Sequence, residues 1–284
     1  MSTRAPKPNL GAFFMTLRTQ PQPTNHNNHH FWKRVLLLVS SLAAGALIWF
    51  LLARLLALPD FILPGPGLVW QRFLQSLRDG QLLRHTLATL LEVLAGLFLG
   101  GLTATFLGYL LAKSPSLEKL ISPYLVASQS IPVVAIAPLL VIWFGPGIFS
   151  KVLICSLIVF FPVLINTVVG LREVPEDLHD LMRSLKASRF QTFWKLEVPA
   201  ALPIFLGGLR VGATLSVIGA VVGEFVGADR GLGFLINVGR GQYDTALVFV
   251  AVITLVVMAM SLYSLVLLVE TQLLAWQSWR QEIK

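Results

Sequence analysis

Few side chains in this 284-residue chain could do chemistry, and most of them stand where chemistry is costly. Glu92 and Glu224 interrupt long aliphatic runs, and Asn166 follows Phe160-Phe161-Pro162 inside another. A carboxylate facing hydrocarbon is expensive, so both acids should face protein or water, as part of a pathway, a gate or a structural hydrogen bond. The sequences that catalysis would need are missing. There is no GxxxxGK to cradle phosphates, no HExxH and no GxSxG. An enzyme is therefore not expected, and neither is a cofactor. His26, His29 and His30 lack acidic or cysteine partners at ligand spacing, so no metal site is expected either. The single cysteine, Cys155, has no partner for an internal disulfide and reads as a small buried residue.

The elements that hold these residues are set by composition. Hydrophobic residues make up 55% of the chain and charged residues 13%, about half the charge of a soluble domain. Crossing about 30 Å of hydrocarbon takes around 20 apolar residues. Runs of that size occur at Val35–Ala53, Leu87–Ala112, Ile121–Phe144, Val152–Val169, Pro203–Val226 and Ala246–Val269. The expected fold is all-α, a polytopic membrane protein of about six transmembrane helices. Residues 1–34, with four prolines and a polar His/Asn stretch, read as a disordered cytoplasmic tail. The membrane domain is expected over 35–275, with a short cytoplasmic tail at 276–284. Leu68, Val69, Trp70, Phe73, Leu74 and Leu77 alternate with polar residues after Pro64-Gly65-Pro66-Gly67, which suits a short interfacial helix.

Charge placement orients the chain. With both termini inside, fifteen of the 22 Lys and Arg fall on cytoplasmic segments, as the positive-inside bias requires. The same bias accounts for the net charge of +8. No basic run is interleaved with aromatics as single-strand binders need, so nucleic acid is not an expected partner; the lipid bilayer is.

The connection at 171–202 is far longer than a minimal loop. Pro175 suits the first position of a helix, with Glu176 and Asp177 complementing its dipole. Leu178, Leu181, Met182 and Leu185 follow at i, i+3, i+4 and i+7, giving one apolar stripe. After a break at Lys186-Ala187-Ser188, the residues Phe190, Phe193 and Trp194 supply a second apolar face, closed by Pro199 and Pro203. Periodicity alone leaves two occupants for these faces: the protein's own bundle or lipid, and a partner's groove.

The stretch Asp180-Leu181-Met182-Arg183-Ser184-Leu185-Lys186-Ala187-Ser188-Arg189 resembles the EAA signature of binding-protein-dependent ABC importer permeases. So do Phe193 through Pro203 and Gly207-Gly208-Leu209-Arg210. Ser130-Ile131-Pro132-Val133, Ala137-Pro138-Leu139, Trp143-Phe144-Gly145, Lys151, Asn166-Thr167, Glu224 and Gly231-Leu232-Gly233 extend the match over roughly 60–275, closest to the nitrate/sulfonate/taurine/bicarbonate branch. The resemblance implies a type I importer permease (MetI-like) architecture in the cell inner membrane. It implies cytoplasmic ABC ATPase subunits, an extracytoplasmic solute-binding protein and a second permease copy, identical or related, as partners. It also implies a coupling helix over 176–190, with Asp180, Leu181, Met182, Arg183, Leu185, Lys186, Ala187, Ser188 and Phe190 at the ATPase contact. Asp180 replaces the family's usual Glu, and Lys186 its usual Gly, where a turn with positive φ would cost lysine more. The implied cargo is a sulfonate, a small oxyanion or a vitamin precursor, with Ala137-Pro138-Leu139-Leu140 closer to the sulfonate and vitamin-precursor relatives.

Small residues recur every four positions on two spans: Gly96, Gly100, Ala104, Gly108 and Ala112 on one, Gly208, Gly212, Ser216 and Ala220 on the other. That spacing lets membrane helices approach closely. Glu92 and Glu224 continue these rows. Glu224, beside Gly231-Leu232-Gly233, is expected either to shape the outer gate or to hydrogen-bond neighbouring backbone. Asn166 is expected to satisfy a carbonyl freed by Pro162, or to line the path. The competing class is a secondary transporter or channel, which would couple through intramembrane charges or repeated halves. The spans carry few charges and no internal repeat is visible.

Overall fold

The computed structural model describes residues 27–55 and 59–275, which fall in two compact units, 1–56 and 57–284. In the first, helix α1 spans Asn27–Leu55. It begins inside the segment expected to be a tail. No proline follows Pro23 there, so a helix nucleated in the apolar run propagates back through the polar residues. Residues 1–26 and 276–284 lie outside the described residues.

The second unit is helical throughout its described residues: α2 (Pro66–Arg78), α3 (Gln81–Lys113), α4 (Pro115–Gln129), α5 (Val133–Phe144), α6 (Ile148–Arg172), α7 (Glu176–Ser184), α8 (Arg189–Thr192), a π-turn (Phe193–Glu197), α9 (Val198–Gly227), α10 (Leu232–Gly241) and α11 (Thr245–Leu273). Among the described residues, α3, α6, the continuous Arg189–Gly227 stretch and α11 are each long and apolar enough to cross a membrane. The pair α4 and α5 makes a fifth crossing if counted as one broken span. The expected run Val35–Ala53 falls within α1, whose described apolar part is Ala43–Leu55.

Three sequence expectations need correction. The crossing read as Ile121–Phe144 is not straight: α4 and α5 meet at 93°. Pro132 stands at the break, with extended backbone at φ −62°, ψ 119°. A proline disfavours helical backbone at the residue before it, which is where the span breaks. The crossing read as starting at Val152 starts at Ile148 and so includes a fully buried Lys151. Finally, Pro199 and Pro203 do not close the coupling segment. Helix continues through both, because the π-turn just before Pro199 accommodates its missing N–H and its ring.

Helix α6 is the centre of the bundle, packed by α3 on one side and α9 on the other. The expected glycines make both contacts. A Cβ added at Gly96 would strike the Cβ of Cys155; at Gly100 it would lie 2.5 Å from the Ser156 carbonyl oxygen, and at Gly108 2.9 Å from Thr167. On α9, a Cβ at Gly208 would lie 2.6 Å from Asn166 and one at Gly212 3.2 Å from Val159. Lipid tails are as apolar as leucine, so close backbone approach and dense van der Waals contact hold such helices together. At the rim of the unit, α11 packs on α9 and α10. Arg210 of α9 pairs with Glu270 of α11 and lies 5.4 Å above the Tyr263 ring. Arg72 of the amphipathic α2 reaches Asp244 at 2.7 Å.

Candidate functional site

The coupling segment is built from local signals. Pro175 is the N-cap of α7, one position earlier than expected, with ψ at 139°. Glu176 and Asp177 then fill the first turn, where the helix dipole favours them. The far end closes by two backbone bonds, Lys186 N–H to the Arg183 carbonyl (2.9 Å) and Ala187 N–H to the Met182 carbonyl (3.0 Å). This is a Schellman motif, whose C′ residue must be left-handed. Lys186 takes that position with φ +53°. The positive-φ turn is therefore present without glycine. Ser188 then opens α8 with a reciprocal cap: its hydroxyl accepts from Gln191 N–H, while Gln191 Oε1 accepts from Ser188 N–H at 2.8 Å.

No residue of α7 is buried. Leu181 is 53% exposed, Leu185 69%, Phe190 72% and Trp194 55%. Leu178 is exposed as well, and Met182 and Ala187 are half-buried. Asp180 pairs locally with Arg183 at 2.9 Å, both in solvent. Of the residues read from sequence for the ATPase contact, Asp180 through Phe190, most are exposed, while Met182 and Ala187 are half-buried and Phe190 lines a groove with Phe106 and Phe205.

One charged node ties this surface to the membrane helices. Glu197, in the π-turn, is buried. Its Oε1 lies 2.6 Å from Lys113 Nζ at the end of α3 and 3.5 Å from His179 Nε2 on α7. Sequence reasoning missed this node, because its members are 18 and 84 positions apart and none breaks a periodic pattern.

A second cluster sits at the opposite end of α9. Glu224 is 1% exposed and Glu92 1% exposed. Glu224 Oε1 accepts from the Thr89 hydroxyl at 2.7 Å, and its Oε2 accepts from Gly233 N–H. Thr89 in turn accepts from Leu232 N–H at 2.8 Å, and His85 Nδ1 from Gly231 N–H at 3.0 Å. Three successive amides of the 231–233 turn are thus held by side chains of α3 and α9. Two of them belong to the first turn of α10, whose N–H groups have no partner within their own helix. Glycine is required at this turn. Gly231 has φ +114°, and a Cβ on it would overlap the Glu224 carboxylate. Lys151 Nζ lies 3.4 Å from Glu92 Oε1, both side chains essentially inaccessible.

His85 and Thr89 are the residues sequence reasoning did not single out here, and Lys151 was named only as part of the family resemblance, not as the partner of Glu92. The signal was the spacing 85, 89, 92, 96, 100, a single face of α3 that passes from polar to small. Asn166 is elsewhere. Its Nδ2 donates to the Pro162 carbonyl at 2.8 Å, not to the carbonyl four residues before Pro162 that the proline leaves free. Its side chain rests on Gly208, about 24 Å along α9 from Glu224 at 1.5 Å per residue. The two residues expected on a path or gate are not brought together. Among the described residues no group of His, Cys, Asp and Glu could hold a metal ion.

Residues 96–274 match the family described as the inner membrane component of binding-protein-dependent transport systems. Among similar proteins, the riboflavin transport permease RibX of Chloroflexus aurantiacus is 47% identical over 78% of this chain and 82% of its own length. The formylaminopyrimidine transport permease ThiX of Halalkalibacterium halodurans is 36% identical over 81% and 91%. The taurine transport permease TauC of Escherichia coli is 32% identical over 81% and 86%. In fold the chain is similar to a chain of the inward-facing MetNI methionine ABC transporter, at TM-score 0.58 and 20% identity over 68% of this chain and 95% of that one. The chain belongs to the binding-protein-dependent ABC transport permease family, with a MetI-like fold. It is a multi-pass inner-membrane permease subunit of an importer, not an enzyme, and such permeases work with ATPase subunits and a binding protein. An ATP-independent carrier or channel finds no support among the relatives.

Proposed function

We propose that this permease carries a nitrogen-heterocyclic vitamin or vitamin precursor, and that residues 176–190 dock on a cytoplasmic ATPase. The observation that carries the docking is the exposed stripe of Leu178, Leu181 and Leu185. Large apolar side chains along a short helix with no buried residue, and at its C-cap, stand mostly in solvent, and a helix-in-groove contact is the usual answer. The cargo class rests on similarity, which is higher to the riboflavin and formylaminopyrimidine permeases than to the taurine one. Both termini are placed in the cytoplasm by the charge bias. Lys151, one of the seven cations counted outside, is a buried ion-pair partner rather than a loop charge, which sharpens the asymmetry.

The mechanism follows from where α9 begins and ends. ATP-driven closure of two ATPases draws two copies of α7 together across a permease dimer. His179 and Lys113 on Glu197 pass that displacement to the inner ends of α9 and α3. Helix α9 is about 45 Å long at 1.5 Å per residue. At its outer end Glu224 holds the 231–233 turn, so a tilt at the base re-aims that turn at the mouth. Glu224 then acts as the latch of an outer gate, and Asn166 shapes α6 beside Gly208.

The test is reconstitution with the cognate ATPase and binding protein in vesicles. ATP-dependent uptake of riboflavin or formylaminopyrimidine, with no uptake of taurine, is the expected result. Uptake of taurine alone would overturn the cargo class. Unchanged uptake with Glu224→Gln would remove the latch.

A further inference from the structure

An apolar groove of about 700 Å³ opens between α3 and the start of α9, lined by Leu102, Phe106, Tyr109, Phe193, Trp194 and Phe205 among others. Its α3 wall continues an exposed stripe of Leu87, Leu91, Leu94 and Phe98, the face that a crossing helix turns outward. The groove ends in a second cavity of about 550 Å³, of different character. Tyr109 and Arg189 line both, so the two share a wall. The second cavity carries Lys113, His179, Arg183 and Arg189 around one acid, Glu197. Arg189 makes no ion pair among the described residues. Glu197 is buried, and its Oε2 accepts no hydrogen bond.

We propose that this junction binds one aminophospholipid, with an acyl chain in the Leu102–Phe106–Phe205 groove and a phosphoethanolamine headgroup between Arg189 and Glu197. A buried carboxylate oxygen without a donor calls for one, and a primary ammonium brings three N–H groups to it. The guanidinium of Arg189 suits the phosphate next to that ammonium, since its planar fork matches phosphate oxygens. An anionic glycerol headgroup would satisfy Arg189 but set its phosphate against Glu197 Oε2. A choline headgroup has no N–H to offer. Only the zwitterion with a free ammonium answers both signs of charge. Tyr109 stands where the apolar groove meets the charged cavity, the position aromatic residues take at a membrane boundary, and Trp194 lines the groove. Basic pockets of this kind at helix ends recognise lipid headgroups.

Lipid binding is read without transport or solute, so its failure is distinguishable from failure of the importer reading, and added ATPase serves as a competition arm because Arg183 and Ala187 belong to both surfaces. The full-length chain is placed in nanodiscs of phosphatidylcholine containing brominated-acyl phosphatidylethanolamine, and tryptophan quenching is followed. The difference between wild type and Trp194→Phe isolates the groove. Saturable quenching of Trp194 by phosphatidylethanolamine is expected. Brominated phosphatidylcholine should need about tenfold more lipid, as loss of a charge-assisted hydrogen bond implies. Arg189→Ala, at an exposed position, should raise the half-saturating fraction by about the same factor, and Glu197→Gln should narrow the preference for ethanolamine over choline. Equal, non-saturating quenching by both lipids would mean bulk lipid contact only and would overturn the proposal. Tighter binding of brominated phosphatidylglycerol would overturn the headgroup assignment. Loss of saturable quenching when the ATPase is added would give the groove to the protein partner instead.

Discussion

His179 on the coupling helix lies 3.5 Å from Glu197 at the base of α9. Among the described residues it is the ion-pair contact by which α7, which has no buried residue, reaches the bundle. Glu197 is also held by Lys113, so a push on α7 reaches α3 and α9 through one carboxylate.

Cutting that contact should separate hydrolysis from transport. His179→Ala leaves the Lys113 pair intact, so the bundle should fold normally. Solute moved per ATP hydrolysed should fall about fivefold or more, the lower range of ordinary coupling energies. His179→Gln, which can still donate to Glu197, should recover much of it. A parallel loss of hydrolysis and uptake, at constant ratio, would place His179 outside the coupling route.

Lys186 holds a left-handed turn that glycine would hold more cheaply. Lys186→Gly should stabilise the α7–α8 junction by about 1 kcal/mol. Slower amide hydrogen exchange at Lys186 and Ala187, whose N–H groups close the Schellman motif, checks this. Faster exchange would show that flexibility of free glycine outweighs the relieved strain.

The α3–α6 contact tolerates no added methyl at its tightest points. Gly100→Ala puts a Cβ 2.5 Å from the Ser156 carbonyl oxygen, whereas Gly101→Ala meets nothing nearer than 3.9 Å. Detergent-solubilised Gly100→Ala should lose several degrees of melting temperature, while Gly101→Ala should match wild type. Equal behaviour of the two would contradict the packing of α3 on α6.

Lys151 and Glu92 should behave as a buried pair. Lys151→Met strands the buried Glu92 carboxylate and should destabilise the protein by about 3–5 kcal/mol. The double variant Lys151→Met with Glu92→Gln should recover most of that loss in thermal or denaturant unfolding. Additive losses in the double variant would mean that the two do not interact.

Much of this was legible from sequence. The glycine rows at 96, 100, 108, 208 and 212 pointed to close helix contacts because a four-residue spacing of small residues has few other uses. The apolar stripe Leu178, Leu181, Leu185 was equally plain. What escaped was non-local. Lys151 lay one residue outside the apolar run drawn at Val152, because a window that excludes charge cannot see a charge neutralised by a helix 59 positions earlier. The 93° break at Pro132 was hidden by continuous hydrophobicity across it. Pro199 looked like a stop, and only the π-turn before it explains why the helix runs on.

The proposed docking of residues 176–190 is tested most directly by the affinity of the cognate ATPase for the intact permease in nanodiscs. Leu181→Asp and Leu185→Asp change side chains that are 53% and 69% exposed, so the permease itself should fold as before. Each should weaken ATPase binding about 30-fold, the worth of a buried apolar anchor at a protein interface. Unchanged affinity in the double variant, with uptake proceeding at the wild-type rate, would contradict the account.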